Sequence, residues 1–541
     1  GGASALDLTC PPVFPPAGTD NEQVSEAGTR WRRALAGVLG TATLVFMAAV
    51  LHTISPSVPF LPSVIAQAWV RTPPASIDSV FIDALGHWAA RLALIGTALG
   101  LALSGALLGQ VIPWAARRLR RPEAVAGAVV FLPLWALSVA IYPHPAPPAL
   151  ARWPFGAATF PLFLLAGALA GLALARLERA AGAQAGPEVD RGRRYVLGAI
   201  GLGAAGVFLG VSNLGSLIRP RPDPGDQLLR VAGLTPAAAP PPDPAFDDIT
   251  GLSSRITPNG SFYVVDESLI DPDIDPGTWR LSIGGLVDRP YALSYPQLKL
   301  MPLVERFQTL ECISNKVGGD LISTARWVGV PLRHLLDRAG VDPKATEVVF
   351  RAAGGYSDSL PIEHAMDQST LVAIGMNGHV LPRAHGFPAR LLSVGTYGMK
   401  NPKWLTSIEV IRGRYVGFWE ARGWNASAPI KTFSRIDTPN ANASRTVANG
   451  AGRALAAGIA FGGDREIERV EVSADGGQTW NQAQLEAALS RYTWRRWRYS
   501  WTPFTPREIV VRAIDGSGSV QIQRPQEPFP SGSTGYDSAR L

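Results

Sequence analysis

The sequence is poor in cysteine and in charged residues. It has only 2 cysteines in 541 residues, which excludes a disulfide-stapled scaffold and a four-cysteine zinc or iron–sulfur site. Charged residues make up 17% of the chain and hydrophobic residues 47%, whereas an average soluble domain carries about 25% charged residues. The apolar content also excludes a disordered chain, and the length corresponds to about three domains.

The shortage of charge is concentrated in the first 218 residues. Five stretches there contain no Asp, Glu, Lys or Arg, namely residues 34–70, 92–116, 124–151, 153–175 and 195–218. A helix of about 20 apolar residues crosses the hydrocarbon core of a membrane. The sequence therefore predicts five transmembrane helices, at about residues 34–54, 92–114, 124–143, 153–175 and 195–218.

The net charge of +7 does not indicate nucleic acid binding, because the arginines cluster at alternate ends of the apolar runs. The clusters lie at residues 30–33, 117–121 and 176–194. By the positive-inside rule these segments are cytoplasmic. We therefore predict a multi-pass protein of the inner (plasma) membrane. Its tail, residues 1–30, is cytoplasmic, and everything after residue 218 is extracytoplasmic. Cys10 and Cys312 then lie on opposite sides of the membrane and cannot pair within one chain.

The remainder of the chain divides by composition. Residues 219–248 are rich in proline and alanine, which predicts a semi-extended linker that contributes nothing to a core. Residues 249–428 alternate helical and strand patterns, with helices near 296–300 and 331–339 and strands at 347–351 and 389–394. Residues 429–525 are all-β, with strands at 492–501 and 508–514. A hairpin at 467–480 turns at Asp475 and Gly476, and residues 526–541 form a C-terminal tail.

Cys312 is the first candidate for chemistry in the extracytoplasmic part. Taken alone, a single cysteine is most often a small buried hydrophobic residue. However, three glycine-containing, cationic segments accompany it, at residues 309–327, 376–390 and 398–404. Glycine lets the backbone approach a bulky ligand, and cations bind phosphate or oxyanions. A thiolate beside such segments is typical of a soft metal held next to an anionic cofactor.

Six sequence motifs carry a family resemblance. They are LECISN, ISTARWVGVPL, MNGHVLPRAHGFPARL, PKWL, RYVGF and VSADGGQTW. Through them, residues 256–535 resemble the sulfite oxidase family of molybdopterin-dependent oxidoreductases, here as a membrane-anchored bacterial member. The resemblance implies an α+β molybdopterin domain at 249–428, followed at 429–525 by an immunoglobulin-like β-sandwich that forms a homodimer in relatives. With the five-helix transmembrane bundle, this is the predicted architecture.

The resemblance also implies residue roles. Cys312 resembles the molybdenum ligand, and Tyr415 in RYVGF resembles an active-site tyrosine near the metal. The residues that resemble those holding the pterin and its phosphate are Tyr263, Val264, Val265, His385, Arg390, Asn401, Pro402 and Lys403. The implied cofactor is Mo-molybdopterin. For each of these side chains a purely structural role is the alternative.

Two departures from the family pattern concern the substrate. Sulfite oxidases bind sulfite with an arginine in the loop that corresponds to residues 262–267, where this chain has Val265. They use a second arginine near the C-terminus, where this chain has PSGSTGY. Lys316 and Lys400 are the candidate replacements. We therefore predict a two-electron, oxygen-atom-transfer-type reaction on a small molecule other than sulfite. Sulfite oxidation or sulfoxide reduction in a rearranged pocket is the alternative.

The route of the electrons and the route of export are separate questions. There is no CxxCH haem motif. A haem b in the membrane part is an open alternative, with His52, His87 and His144 near the outer ends of the apolar runs. We otherwise expect a separate electron-transfer protein or membrane redox complex. Arg193 and Arg194 before the last run resemble a twin-arginine export signal. A non-catalytic subunit that keeps the fold as a docking module is the remaining functional alternative.

Overall fold

The computed structural model describes residues 19–54, 61–62, 65, 88–140, 148–182, 223–265, 271–439, 447–449, 453–501 and 508–540. These residues belong to two compact units, one built from the N-terminal helices and the other from the chain after residue 220.

The N-terminal unit is helical, as its charge-free runs predict. Its helices are α1 (Thr19–Ile54), α2 (Trp88–Leu119), α3 (Glu123–Ala140) and α4 (Pro148–Gly182). Each contains a segment long and apolar enough to cross a membrane: Gly28–Leu51, Gly96–Leu119, Glu123–Ala140 and Thr159–Arg179. Four of the five predicted helices are therefore present. The fifth, at 195–218, lies outside the described residues, as do Cys10, His87, His144, Arg193 and Arg194.

Glycines bring these helices together at close range. A Cβ on Gly37 of α1 would lie 1.8 Å from the carbonyl oxygen of Gly105 in α2, and a Cβ on Gly127 of α3 would lie 2.1 Å from that of Gly167 in α4. No larger residue fits at these two crossings. Small residues at helix crossings are typical of membrane helix packing, where backbone proximity supplies the van der Waals contact.

The first domain of the second unit contains two sheets and several short helices. Its strands are β1 (Arg280–Gly285), β2 (Tyr291–Ser294), β3 (Val304–Glu311), β4 (Ile322–Pro331), β5 (Glu347–Ala352), β6 (Ser357–Pro361), β7 (Leu371–Met376), β8 (His379–Val380), β9 (Arg390–Leu392) and β10 (Leu405–Ile411). Its helices are α5 (Pro244–Asp247), α6 (Tyr295–Lys299), α7 (Leu332–Ala339) and α8 (Ile362–Ala365). Single 3₁₀ turns lie at Pro224–Asp226, Asn259–Ser261, Arg383–His385, Gly398–Lys400 and Glu420–Arg422.

Local sequence signals explain the predicted helices and strands. At α6, the Ser294 hydroxyl accepts the Gln297 N–H, and the Gln297 side chain accepts the Ser294 N–H, which forms a capping box. Helix α7 ends at Gly340, whose φ of +73° suits glycine. The predicted helices near 296–300 and 331–339 are thus confirmed as α6 and α7, and the predicted strands at 347–351 and 389–394 as β5 and β9.

The two sheets share one apolar core. The first sheet has the order β3-β4-β7-β8, with β9 on β7, and the second has the order β2-β1-β10-β5-β6. Strands β3 and β4 are antiparallel, with Glu311 opposite Ile322, so residues 312–321 form the loop between them. Strand β9 leads into the loop at 393–404, which precedes β10. The topology therefore places two of the three cationic segments in loops at strand ends.

The second domain is a two-layer β-sandwich. Its strands are β11 (Phe433–Thr438), β12 (Val447–Asn449), β13 (Arg453–Phe461), β14 (Ile467–Ser473), β15 (Asn481–Gln482), β16 (Gln484–Leu485), β17 (Arg495–Trp501), β18 (Glu508–Asp515) and β19 (Asp537–Arg540). One sheet is β11-β13-β17-β16 with β12 on β13, and the other is β15-β14-β18-β19. Inward residues of both sheets, such as Ala456 and Val511, share one core. The predicted hairpin is confirmed as β14 and β15, with Gly476 at φ +72°.

Two segments pack more closely than their composition predicts. Leu229 and Leu234, in the proline- and alanine-rich segment, pack against the core of the first domain. Phe246 is fully buried and lies 5.7 Å from the guanidinium of Arg496 and 5.3 Å from that of Arg498. The described part of this segment is therefore docked, because its few large apolar side chains are buried. Similarly, the predicted C-terminal tail contributes β19, which pairs with β18.

Candidate active site

Cys312 begins the loop that follows β3, and its backbone is fixed at two points. Its N–H donates to the Leu321 carbonyl (2.9 Å) and its carbonyl accepts the Asn315 N–H (3.0 Å). The side chain is a buried free thiol whose Sγ lies 3.0 Å from the Ser314 hydroxyl. Burial raises the pKa of this thiol, so the protein alone favours the neutral form. A bound soft metal ion would reverse this preference, since coordination deprotonates a thiol.

Glu311, the last residue of β3, supports the loop from inside. It is buried, and its Oε1 accepts a hydrogen bond from Asn315 Nδ2 at 3.1 Å. Asn315 Oδ1 in turn accepts the Leu321 N–H at 3.0 Å. Burial raises the pKa of Glu311 to about 8. Sequence reasoning missed this residue, although it lies inside the LECISN motif.

Gly398 marks the point at which three segments converge on Cys312. A Cβ built on Gly398 would lie 2.9 Å from the Tyr263 hydroxyl, 3.3 Å from the Glu311 carbonyl oxygen and 3.9 Å from Cys312 Cα. The segments at 262–265, 311–312 and 398–401 therefore meet with no room for a side chain at this glycine. Burial is the main cause that raises the pKa of Tyr263 well above its usual value, and the nearby Cys312 contributes.

An aromatic cluster orients His385. The Phe262 ring is stacked on Tyr263 (centroids 5.5 Å apart) and meets His385 edge-on at 5.2 Å. His385 Nε2 lies 3.1 Å from the Asn259 carbonyl oxygen. Burial lowers the pKa of His385 to about 4, so the ring is neutral at pH 7 and its Nε2–H donates to that carbonyl. Phe262 and Asn259 stand next to the predicted pterin loop in the sequence, but neither was given a role of its own.

The predicted cofactor residues at 385–403 are brought together. Arg390 is 5% exposed and donates to the carbonyls of His385 (3.2 Å) and Asn401 (3.3 Å). The Pro402 carbonyl accepts the Leu391 N–H, and Lys403 Nζ donates to the Ala384 carbonyl at 2.8 Å. The Arg390 guanidinium and the Lys403 ammonium group therefore lie in the same cluster as His385 and Asn401. These cationic side chains, together with the thiol, fit a phosphate-bearing pterin that carries molybdenum.

Lys400 is not available to bind an anionic substrate, which corrects the prediction made for it. Its ammonium group is 4% exposed and lies 2.6 Å from Asp358 Oδ1 and 2.8 Å from Glu420 Oε1. It also donates to the Ser359 carbonyl at 3.2 Å. Neither carboxylate was singled out from the sequence, because they lie 42 and 20 residues away from Lys400. Lys400 therefore neutralises buried carboxylates.

Tyr415 lies over the polar face of the second sheet. Its hydroxyl is 2.7 Å from the Ser357 hydroxyl and accepts a hydrogen bond from Arg351 Nη1 at 3.3 Å. Arg351 and Ser357 are opposite each other on β5 and β6, so they share one face. Phe350 and Asp358 form the neighbouring pair and share the opposite, core-facing side. The structure therefore separates the Tyr415 hydroxyl from the side of the sheet on which Asp358 meets Lys400.

The C-terminal segment reaches the Cys312 loop, as its correspondence with the substrate-binding region of relatives predicts. A Cβ on Gly535 would lie 3.3 Å from a Val317 methyl carbon, and a Cβ on Gly318 would lie 2.9 Å from Asp537 Oδ1. This segment brings a carboxylate to the loop. On the other side of the site, Val264 is 47% exposed and Val265 is half-buried.

Comparisons with known proteins identify the family of both domains. An oxidoreductase molybdopterin binding domain matches residues 268–419, and a Mo-co oxidoreductase dimerisation domain matches residues 427–528. The sulfite oxidase of Gallus gallus is 31% identical over 341 residues, which cover 54% of this chain and 72% of that protein. The uncharacterized oxidoreductase YuiH of Bacillus subtilis is 31% identical over 177 residues, 32% of this chain and 87% of that protein.

Other relatives are matched over a smaller share of their length. The mitochondrial sulfite oxidase of Rattus norvegicus is 31% identical over 339 residues, and the match covers 54% of this chain and 61% of that protein. Among solved structures, the sulfane dehydrogenase SoxCD from Paracoccus pantotrophus has a TM-score of 0.48 and 24% identity. That match covers 53% of this chain and 81% of the other.

Proposed function

Because the chain belongs to the sulfite oxidase family of molybdopterin-dependent oxidoreductases, we propose that it catalyses a two-electron, oxygen-atom-transfer-type reaction on a small molecule. The observation that carries the proposal is that the segment 398–401 meets the buried Cys312 at Gly398 and the buried Arg390 at the Asn401 carbonyl. The cofactor supplies the redox chemistry when bound, and the protein supplies binding, orientation and electrostatics.

Each group of residues has a distinct task in this proposal. Cys312 is the protein ligand of molybdenum. Neutral His385 and cationic Arg390 bind the pterin and its phosphate. The segment Asn401, Pro402 and Lys403 also binds the phosphate. The loop of Tyr263, Val264 and Val265 lines the pterin. Tyr415 is the active-site tyrosine in this proposal, with its hydroxyl positioned by hydrogen bonds with Ser357 and Arg351.

Metal and pterin analysis of the purified full-length protein tests the proposal. We expect about one molybdenum and one pterin per chain, because the predicted molybdopterin domain, residues 249–428, contains a single cysteine. A protein that folds and purifies well but contains neither, even after expression with excess molybdate, would instead be a docking module that retains the fold.

We further propose that the substrate is not sulfite. Sulfite is an anion at neutral pH, where hydrogen sulfite and the dianion coexist, and charge-assisted hydrogen bonds are worth about 1.5–3 kcal/mol each. Val265 offers no such bond, and Lys400 is paired with Asp358 and Glu420. Lys316, the other candidate replacement, lies in the Cys312 loop, to which Asp537 brings a carboxylate. The site is therefore better suited to an uncharged oxygen donor or acceptor, such as a sulfoxide. Sulfite oxidation with a rearranged pocket is the competing reaction.

Replacing Val265 by arginine should shift the site towards sulfite. One new charge-assisted hydrogen bond of about 1.5–3 kcal/mol corresponds to a KM for sulfite lowered by about 10- to 100-fold. The measurement is sulfite-dependent reduction of ferricyanide, with Val264→Arg as the matched control one position away. Efficient sulfite turnover by the unmodified protein, with no gain in Val265→Arg, would contradict the substrate proposal.

The setting of the reaction is also a proposal. The four apolar helices and the alternation of arginine clusters support an inner-membrane anchor with the catalytic domains on the extracytoplasmic face. The arginine pair at 193–194 supports twin-arginine export after cofactor loading in the cytoplasm. The match to a dimerisation domain at 427–528 supports a homodimer. Electrons would pass to or from a separate redox protein or a membrane redox complex.

A further inference from the structure

The loop between β3 and β4, residues 312–321, is closed at its base by contacts within the first domain. The Cys312 N–H donates to the Leu321 carbonyl at 2.9 Å, and the Asn315 Oδ1 atom accepts the Leu321 N–H at 3.0 Å. The far end of the loop, at Gly319, is held differently, because its carbonyl accepts a hydrogen bond from the second domain.

Arg435, on strand β11 of the second domain, is the donor of this hydrogen bond. Its Nη1 donates to the Gly319 carbonyl at 2.7 Å, and its Nη2 donates to the Ser253 hydroxyl at 2.8 Å. Its Nε donates to Asp437 Oδ1 at 2.7 Å, and the side chain is 13% exposed. The three nitrogens of one guanidinium group therefore join three separate segments of the chain.

Asp437 connects the same strand to the segment that leads into the pterin loop. Its Oδ2 accepts the Ser253 N–H at 2.9 Å. Further along that segment, the Thr257 N–H donates to the Thr324 carbonyl of β4 at 2.8 Å. The pair of Arg435 and Asp437 thus contacts both the Cys312 loop and the segment before the pterin loop.

The backbone of β11 makes a further link to the loop through the C-terminal strand. The Ile436 N–H donates to Asp537 Oδ2 at 2.8 Å. The other oxygen of this carboxylate lies 2.9 Å from the point that a Cβ on Gly318 would occupy. Side-chain and backbone contacts of β11 therefore meet at the same two glycines of the loop, Gly318 and Gly319.

We propose that Arg435 is a positioning residue, which fixes the Cys312 loop to the second domain and so sets the orientation of the Cys312 thiol. The inference rests on the function proposed above, in which this thiol is a metal ligand. The charge of Arg435 is compensated by Asp437, so its task is to orient the loop. Neither residue lies in one of the six family motifs.

The strength of the contact follows from its charge. A hydrogen bond from a guanidinium group to a carbonyl is stronger than one between neutral groups. Residues that orient a metal ligand from outside the coordination sphere typically change metal affinity or activity by about 10- to 100-fold when they are replaced. The loss of Arg435 should therefore be detectable at the metal, although the side chain contacts neither metal nor substrate in this proposal.

The first test is hydrogen–deuterium exchange of Arg435→Met in the full-length, cofactor-loaded protein. Methionine keeps much of the apolar stem but forms none of the three hydrogen bonds. We expect the amides of residues 312–321 to exchange about 10- to 100-fold faster, as the loss of one charge-assisted hydrogen bond predicts. The amides of α7, in the core of the first domain, should exchange at an unchanged rate.

The metal provides the second measurement on the same variant. Molybdenum and pterin contents should be unchanged. The thiolate-to-metal absorption band and the electron paramagnetic resonance signal of the half-reduced metal should shift, because both depend on the orientation of the sulfur. With dimethyl sulfoxide as substrate and reduced benzyl viologen as donor, kcat should fall by about 10- to 100-fold and KM should change little.

Arg465→Met is the matched control, because Arg465 has an equivalent set of partners in the same domain. Its Nε donates to Asp515 Oδ2 at 2.9 Å. Its Nη2 donates to the Ile430 carbonyl at 3.0 Å and to the Thr432 hydroxyl at 3.2 Å. These partners lie outside the Cys312 loop, so this variant should leave the loop exchange and both spectra unchanged.

A second variant guards against a failure to fold, since Arg435→Met leaves the buried Asp437 without its cation. In the double variant Arg435→Met with Asp437→Asn, the asparagine oxygen can still accept the Ser253 N–H, and neither charge of the pair remains. The proposal is overturned if the folded double variant has the loop exchange rate of the unmodified protein, or if Arg465→Met accelerates that exchange equally.

Faster loop exchange with unchanged spectra would also overturn it, because the contact would then be purely structural. Unchanged exchange in a protein that contains molybdenum contradicts this inference and leaves the proposed function standing. A protein that lacks molybdenum but shows faster loop exchange supports the contact with Arg435 and contradicts the proposed function.

Discussion

Replacing Cys312 by serine is expected to lower turnover by more than about 100-fold while the protein stays folded. Changes that only touch the outer shell of a metal site already cost about 10- to 100-fold in metal affinity or activity, and Cys312 is the proposed ligand itself. Serine is nearly the same size, and its hydroxyl can take over the contact with Ser314 that the thiol makes at 3.0 Å. The structural cost should therefore be small. Turnover of dimethyl sulfoxide or sulfite, molybdenum content and visible thiolate-to-metal absorption are the measurements.

The second cysteine of the chain supplies the control for this experiment. Cys10 is predicted to lie on the cytoplasmic side of the membrane, so Cys10→Ser should change neither turnover nor the absorption spectrum. A Cys312→Ser protein that retains its absorption band and more than half of its turnover would refute the assignment of this thiol as the ligand. Circular dichroism of both variants establishes that any loss is not a loss of folding.

Replacing Lys400 by methionine is expected to destabilise the catalytic unit by about 3–5 kcal/mol, because it leaves two buried carboxylates without their cation. Asp358 and Glu420 are only 1% and 5% exposed, so water cannot take the place of the ammonium group. Burial raises the pKa of Asp358 to about 6 even beside Lys400, which shows how strongly this environment disfavours a bare charge. The midpoint of thermal unfolding should fall by on the order of 10 °C.

An exposed ion pair provides the comparison for Lys400. Arg333 and Asp337 are paired at 3.3 Å with side chains that are 48% and 53% exposed, and such surface pairs contribute about 0–1 kcal/mol. Arg333→Met should therefore lower the midpoint by no more than a few degrees. Adding Asp358→Asn to Lys400→Met should recover part of the loss, since one uncompensated charge is removed. Equal shifts for Lys400→Met and Arg333→Met would contradict this account.

The role proposed for Cys312 could be predicted from the sequence, whereas the role of Lys400 could not. Cys312 stands in the LECISN motif and is followed by glycines and cations within 14 residues, so local sequence identified it. His385 and Arg390 were identified in the same way, and the structure brings them together with Asn401 and Lys403. Lys400 also stands in a motif, but its partners come from β6 and from the turn at 420–422. The local sequence around a lysine does not predict whether a carboxylate from a distant segment neutralises its charge.

Tyr415 shows the same limit at the level of a single hydroxyl group. It stands in the RYVGF motif, and the sequence contains no sign that Ser357 and Arg351 bind its hydroxyl. The outcome depends on sheet register, because pairing Arg351 with Ser357 on one face of the sheet creates the polar surface to which Tyr415 binds. A shift of one residue would turn these side chains to the other face.

The sequence by itself determined the features that depend on local periodicity and composition. These are the apolar helices, the α+β and all-β domains, the family, the cysteine and the cationic loops. These features can be predicted from the sequence because the formation of helices and strands depends on side chains within a few residues of one another. The tertiary structure alone decided that Lys400 is paired with buried carboxylates, that the Tyr415 hydroxyl is hydrogen-bonded, and that the described part of the proline-rich segment is docked. Each of these depends on contacts between residues far apart in the chain, with energies set by burial.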